Sequence, residues 1–279
     1  MEAPCAPRRI EHRARVASVA EVARGSFRME IDAPALAAGV RPGQFVMVEA
    51  AAAGGPYLRR AFSVCDVLAG PTGAPERVVL LVQVVGKGTR ALSLRRAGEE
   101  AVVLGPLGHP YDLGDPAKPL VLVGGGIGNA PFPLVARARR AMKATGSLRA
   151  VFGFRDASLV SLVKEMEDLG CPVTLCTEDG SAGAKGRVTD HLAPLLVPGA
   201  TILACGPNPM FVALAKFLEG RGVPCQVSTE EPMACGYGLC FGCVVPVKAG
   251  EGVRWAKSCT EGPVFPIEAI AWDRVRSIH

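Results

Sequence analysis

The chain has 279 residues, a net charge of +5, 49% hydrophobic and 20% charged residues. That composition excludes a disordered chain, and the length exceeds one typical domain of ~100–150 residues, so two domains are expected. Aromatics at 5% and a weak, scattered positive charge exclude a stacking platform for single strands and a nucleic-acid footprint.

Residues 1–16 hold no apolar leader core, so an intracellular, reducing compartment is expected. The ten cysteines are then expected as thiols or metal ligands rather than a disulfide framework. Residues 12–22, 26–31, 43–49, 60–65 and 77–84 are Val-rich and alternate in places. Pro34, Pro42, Gly54-Gly55-Pro56 and Gly70-Pro71 punctuate them, so they read as strands. A short helix is predicted over 89–94, a turn at Gly98 and a further strand over 101–104. This series predicts a small antiparallel barrel.

From Pro116 the pattern changes. Strands are predicted at 120–123, 148–154, 172–177, 200–204 and 223–227. Between them lie helices at 131–144, 157–169, 189–196 and 207–220. Such alternation implies a parallel sheet with helical crossovers. The most apolar stretch, 119–136, is broken by four glycines and three prolines and is short for a membrane span of ~20 residues. After 228 come a cysteine cluster, a hairpin (244–247 and 253–256) and a tail. These have too little core of their own, so a metal staple is expected.

Cys235, Cys240, Cys243 and Cys259 give C-x4-C-x2-C-x15-C. The first three match the plant-type [2Fe–2S] spacing. Gly236, Gly238 and Gly242 between them allow tight turns and bring N–H groups close to sulfur. Structural zinc is the competing reading, but it favours two C-x2-C knuckles, and only Cys240/Cys243 has that spacing. Cys5, Cys65, Cys171, Cys176, Cys205 and Cys225 lack metal-ligand spacing and read as small core residues. His12, His109, His191 and His279 are scattered, and no acid–base dyad or nucleophile motif stands out.

The strand at 120–123 runs into Gly124-Gly125-Gly126-Ile127-Gly128-Asn129-Ala130-Pro131, and a helix follows. Strand, glycine turn and helix start form a pyrophosphate cradle. The strict G-x-G-x-x-G fingerprint fails at Asn129 and Pro131, so a plain tight turn stays open.

These elements in this order resemble the ferredoxin–NADP reductase superfamily. Residues 230–240 and 257–265 are similar to those of electron-transfer subunits of heteromeric, NAD-dependent dihydroorotate dehydrogenases. The resemblance implies three parts: 1–115 an FAD-binding barrel, 116–228 an NAD-binding α/β domain, and 229–279 a [2Fe–2S] segment. Arg60-Ala61-Phe62-Ser63 resembles the R-x-[YF]-S flavin signature, with Arg60 on the FAD pyrophosphate and Ser63 beside the reactive edge. Gly88 and Thr89 resemble the second pyrophosphate clasp, and Leu81, Val82 and Gln83 the strand lining the flavin. Gly124, Gly125, Gly126 and Gly128 take the NAD pyrophosphate role. Cys205, Gly206 and Pro207 resemble the turn near the nicotinamide. Glu178, at a strand's carboxyl edge, is placed to accept ribose hydroxyls, while Arg155 nearby suits a 2′-phosphate.

The implied function is a cytoplasmic relay of pyrimidine biosynthesis, in which electrons pass from a partner's FMN through [2Fe–2S] and FAD to NAD+. The partner, an FMN barrel subunit of ~250 residues, has no room in this chain, and a heterotetramer is implied. The same frame allows a reductase serving a hydrogenase, an oxygenase or a bifurcating ferredoxin–NADP system. It also allows a zinc-stapled interaction module. The flavin candidates end before Gly105 and the cluster begins at Cys235, so the two sites are expected to be separate modules.

Overall fold

A computed structural model describes residues 10–50 and 56–275. Cys5, Gly54, Gly55 and His279 lie outside the described residues.

Six antiparallel strands close the barrel: β1 (Ile10–Ala23), β2 (Ser26–Asp32), β3 (Phe45–Val48), β4 (Arg60–Ala69), β5 (Pro75–Gln83) and β6 (Glu100–Leu107). Their order around it is β1-β2-β5-β4-β3-β6. Val16, Met29, Val46, Val64, Leu80 and Val103 fill its interior, so the period-2 alternation in the sequence marks the face that leaves water. Two short helices plug its rim, α1 (Pro34–Ala37) and α2 (Lys87–Ser93).

The second unit is a parallel sheet. Its strands are β7 (Leu120–Gly125), β8 (Leu148–Phe154), β9 (Val173–Thr177), β10 (Ala184–Lys185), β11 (Thr201–Cys205) and β12 (Cys225–Ser228). Helices α3 (Phe132–Ala141), α4 (Val163–Asp168) and α5 (Asn208–Leu218) cross over it. The sheet order is β10-β9-β8-β7-β11-β12, with one more strand after β12 described below.

Two helices predicted from sequence come out shorter or not at all. The 157–169 segment breaks at Leu162, which sits at φ 62. Leu162 is buried against Cys65, Val79 and Leu81 of the barrel, and that contact overrides local helix propensity. The 189–196 segment forms two 3-10 turns, Val188–His191 and Ala193–Leu195, because Pro194 cannot donate into a continuous helix.

The C-terminal part forms a hairpin, β13 (Val244–Ala249) and β14 (Gly252–Lys257), then α6 (Ser258–Glu261) and β15 (Val264–Pro266). Strand β15 was not foreseen. It pairs antiparallel with β12, Val227 opposite Phe265, and so joins the C-terminal part to the nucleotide sheet. Among the described residues no helix is long and apolar enough to cross a membrane.

Candidate functional site

On the outer face of β4, side chains alternate in the order Ala61, Ser63, Cys65. Ala61 packs beside Phe45, Met47, Leu107 and the two cluster cysteines Cys243 and Cys259. Cys65 packs beside Leu81 of β5 and beside Ala130 and Ile127 of the α/β unit. Ser63, half-buried and paired with Phe45, therefore lies on the seam where both neighbours meet the barrel. Phe62 and Val82 turn inward into the barrel core, and Gln83 ends β5 half-buried. The cysteine loop thus rests on the same barrel face as the R-x-F-S motif, contrary to the expectation of separate modules.

Arg60 and Gly88, far apart in sequence, meet in space. A Cβ on Gly88 would lie 2.4 Å from Arg60 Nε, so only glycine lets the guanidinium lie across the start of α2. Arg60 donates to the carbonyls of Leu58 and Arg59. The Thr89 hydroxyl accepts from the N–H groups of Val85 and Gly86, at 2.9 and 3.1 Å. The Thr89 side chain is thus committed to the turn, and a ligand there meets its backbone.

The glycine turn after β7 and the turn after β11 press together at the carboxyl edge of adjacent parallel strands. A Cβ on Gly128 would stand 2.3 Å from the Cys205 carbonyl oxygen, and one on Gly125 2.7 Å from the Met210 sulfur. Gly124 pairs with Cys205 across the ladder, while Gly126 sits at φ 56. Gly206 and Pro207 follow, with Pro207 as the N-cap of α5. Such a crevice at the ends of parallel strands is where α/β sheets bind ligands. Gly128→Ala is expected to force these turns apart, raising KM for NADH at least ~10-fold while FAD content stays unchanged. Steady-state kinetics on the flavin-loaded protein checks this.

Glu178 lies at the same edge but two strands away, after β9. Its carboxylate is exposed and 4.0 Å from Arg187. Cys205 is buried with its sulfur 3.9 Å from Glu230 Oε1. Burial first, then the Glu230 charge, raises its pKa well above the ordinary thiol value. Cys65, Cys171, Cys176 and Cys225 are likewise buried, as the core reading predicts.

The four cluster cysteines pair two and two. Cys235 lies within thiol hydrogen-bond reach of Cys240, and Cys243 of Cys259, and all four are free thiols. A two-iron cluster takes two thiolates at each iron, whereas zinc draws four around one point. Burial opposes ionisation of Cys235, but N–H groups of Tyr237, Cys240 and Leu239 outweigh it and bring the thiol down to about 7. The Cys259 bond brings Cys243 down to about 6. Cys259 moves up, through that same bond and then burial, because the pair shares one proton. Backbone N–H groups of the loop thus favour the thiolate of Cys235. Spacing alone could not show that the loop lies flush on the barrel, with the Gly236 Cβ position 2.6 Å from Met47 Cγ.

Two family models match the chain. One, the oxidoreductase NAD-binding domain, covers residues 122–216. The other, the iron-sulfur cluster binding domain of dihydroorotate dehydrogenase B, covers 230–271. A protein of Desulforamulus reducens named dihydroorotate dehydrogenase B (NAD(+)), electron transfer subunit, is 33% identical over 93% of this chain and 98% of its own. The protein of that name from Shouchella clausii is 35% identical over 93% and 98%. Among solved structures, a chain of an NADH-dependent reduced ferredoxin–NADP oxidoreductase aligns with TM-score 0.78 at 31% identity, covering 93% of this chain and 90% of that one. The ferredoxin reductase of carbazole 1,9a-dioxygenase, at 24% identity and TM-score 0.65 over 79% and 68%, shares the fold.

Proposed function

The chain belongs to the family of dihydroorotate dehydrogenase B electron-transfer subunits, and from that premise we propose how its residues divide the work. It is an NAD-dependent flavin and iron–sulfur subunit of that oxidoreductase, serving a dihydroorotate dehydrogenase catalytic subunit. When bound, the cluster supplies single-electron transfer, FAD exchanges electrons singly or in pairs, and NAD+ takes a hydride. Arg60 and the Gly88–Thr89 backbone hold the FAD pyrophosphate. Ala61 and Ser63 form the strand surface along the flavin, with Gln83 at the end of β5; Phe62 and Val82, turned into the barrel core, and Leu81, covered by Ile127 and Ala130, contribute backbone only. Gly124, Gly125, Gly126 and Gly128 hold the NAD pyrophosphate, Cys205, Gly206 and Pro207 face the nicotinamide, and Glu178 receives a ribose. Cys235, Cys240, Cys243 and Cys259 hold the cluster.

The observation that carries this reading is the position of Ser63, between the cysteine loop and the glycine turn. A flavin ring held at Ser63 would lie between the residues that meet the cysteine loop and those that meet the glycine turn. The finer reading is an FMN-bearing partner, a heterotetramer, cytoplasmic work in pyrimidine synthesis, and the division at 1–115, 116–228 and 229–279.

Purified without oxygen, the chain is expected to carry about one FAD and about two irons with two acid-labile sulfides. Alone it should oxidise NADH with a dye and leave dihydroorotate untouched. Mixed with the FMN-bearing catalytic subunit, it should make dihydroorotate oxidation depend on NAD+. Stoichiometric zinc without sulfide, or dihydroorotate consumption by the isolated chain, overturns the assignment. The likeness to the ferredoxin–NADP oxidoreductase chain supports a second reading, a subunit serving ferredoxin. Reduced-ferredoxin oxidation with no orotate formed in the mixture selects it.

A further inference from the structure

The two turns at the nicotinamide crevice belong to the α/β unit, while Ser63 belongs to the barrel. Several contacts hold the one at a fixed distance from the other: Leu162 packs with Cys65, Val79 and Leu81, the Arg24 N–H donates to the Ser158 carbonyl, and a further line of contacts runs through the glycine turn and α3. Ile127, within the glycine turn, and Ala130, at its end, pack with Leu81 and Cys65 of β5 and β4. Leu134, on the first turn of α3, is buried in the same apolar cluster as the barrel residues Val46 and Val64. Arg137, three residues on and so on the same helix face, donates to both oxygens of Asp66, Nε to Oδ1 at 2.7 Å and Nη2 to Oδ2 at 2.6 Å.

Asp66 is three residues beyond Ser63 on β4. A register shift between Val64 and Asp66 turns it out of the strand's alternation. Its side chain is only 7% exposed, and its Oδ1 also accepts the Val67 N–H at 2.8 Å. A buried, fully engaged carboxylate facing a planar fork permits little sliding or rotation. Among the described residues a second ion pair links the two units, Arg24 with Asp156 at 3.1 Å; it is 66% and 26% exposed against 45% and 7% for Arg137 and Asp66, and constrains less.

We propose that the Asp66–Arg137 pair, with Leu134 beside it, positions the nicotinamide crevice against the flavin face at Ser63, and so governs hydride transfer rather than cofactor binding. The inference rests on the assignment of those two sites. Neither residue touches a cofactor; both act through α3 and β4. Misplacing reacting atoms by about 1 Å costs a rate factor of order 100.

Rapid mixing of the FAD-loaded full chain with NADH, read by flavin bleaching, is the test. Wild-type bleaching supplies the reference, and its absence would count against the assigned sites rather than against the clamp. Arg137→Met and Asp66→Asn should slow bleaching roughly 10–100-fold. The flavin–NADH charge-transfer absorbance should weaken, the deuterium isotope effect on bleaching should change, and NADH affinity should stay within about threefold. Leu134→Ala should reproduce the slowing without altering charge, and Asp66→Glu should recover part of the rate. Arg24→Ala should behave as wild type. A lowered melting temperature in Arg137→Met and Leu134→Ala, with bleaching rate, isotope effect and charge-transfer band unchanged, overturns the proposal and leaves the pair a stabilising contact alone. If the methionine and asparagine variants fail to fold, the alanine and glutamate variants decide it by the same signals.

Discussion

Cys259→Ser is expected to abolish NAD+ reduction by dihydroorotate in the complex and to empty the cluster site. The loss should exceed the roughly 10–100-fold that removal of an outer partner costs a metal site, because a ligand itself is removed. Cys259 is 2% exposed and packs with Phe45, Met47 and Leu107, so the change is felt by the barrel as well. FAD should stay bound, since Arg60 and Gly88 meet at the other end of the motif, but the melting temperature should fall. NADH oxidation with a dye should persist. Iron and sulfide assays, the visible spectrum and a thermal melt check these outcomes. Full dihydroorotate-dependent turnover without the cluster would remove it from the route.

Arg60→Ala is expected to weaken FAD retention by roughly one to two decades, from loss of a charge-assisted contact worth on the order of 1.5–3 kcal/mol. The effect should fall on FAD affinity and leave iron content unchanged. The guanidinium is braced by the carbonyls of Leu58 and Arg59 and by the bare Gly88 backbone, so little ordering cost remains for the ligand to meet. A titration of the flavin-stripped protein with FAD measures it, and an unchanged dissociation constant returns Arg60 to an ordinary surface residue.

Both units were legible because their signals are local. Val-rich alternation marked the barrel strands, and the switch after Pro116 marked the parallel sheet. The cysteine spacing is local too, because a loop wrapping a small cluster takes its first three ligands from a few consecutive turns. What escaped was set by contacts across the chain. Leu162 breaks a helix because the barrel buries it. Val264-Phe265-Pro266 is too short for a period and becomes a strand only because β12 leaves an open edge. The outward apolar residues Cys65, Val79 and Leu81 look like any core strand, and nothing local says that a second unit covers them. Asp66 and Arg137 are likewise two ordinary charges until the fold brings them together.

The pairing of β15 with β12 makes the cluster region a cassette. Its neck is closed by the Thr229 N–H on the Pro263 carbonyl at 2.9 Å and by Thr229 and Ser258 hydroxyls 3.0 Å apart. The chain between those residues returns to the adjacent position on the nucleotide sheet, and Val245, Val247 and Ala256 of its hairpin are buried in that sheet's core. The redox loop is therefore tethered at both ends, and its closure entropy grows only slowly with its length. Held to the sheet through β15 and the buried Val245, Val247 and Ala256, and to the barrel through Cys243 and Cys259, the redox loop is fixed to both units at once, so a shift of one unit against the other is felt at its sulfurs.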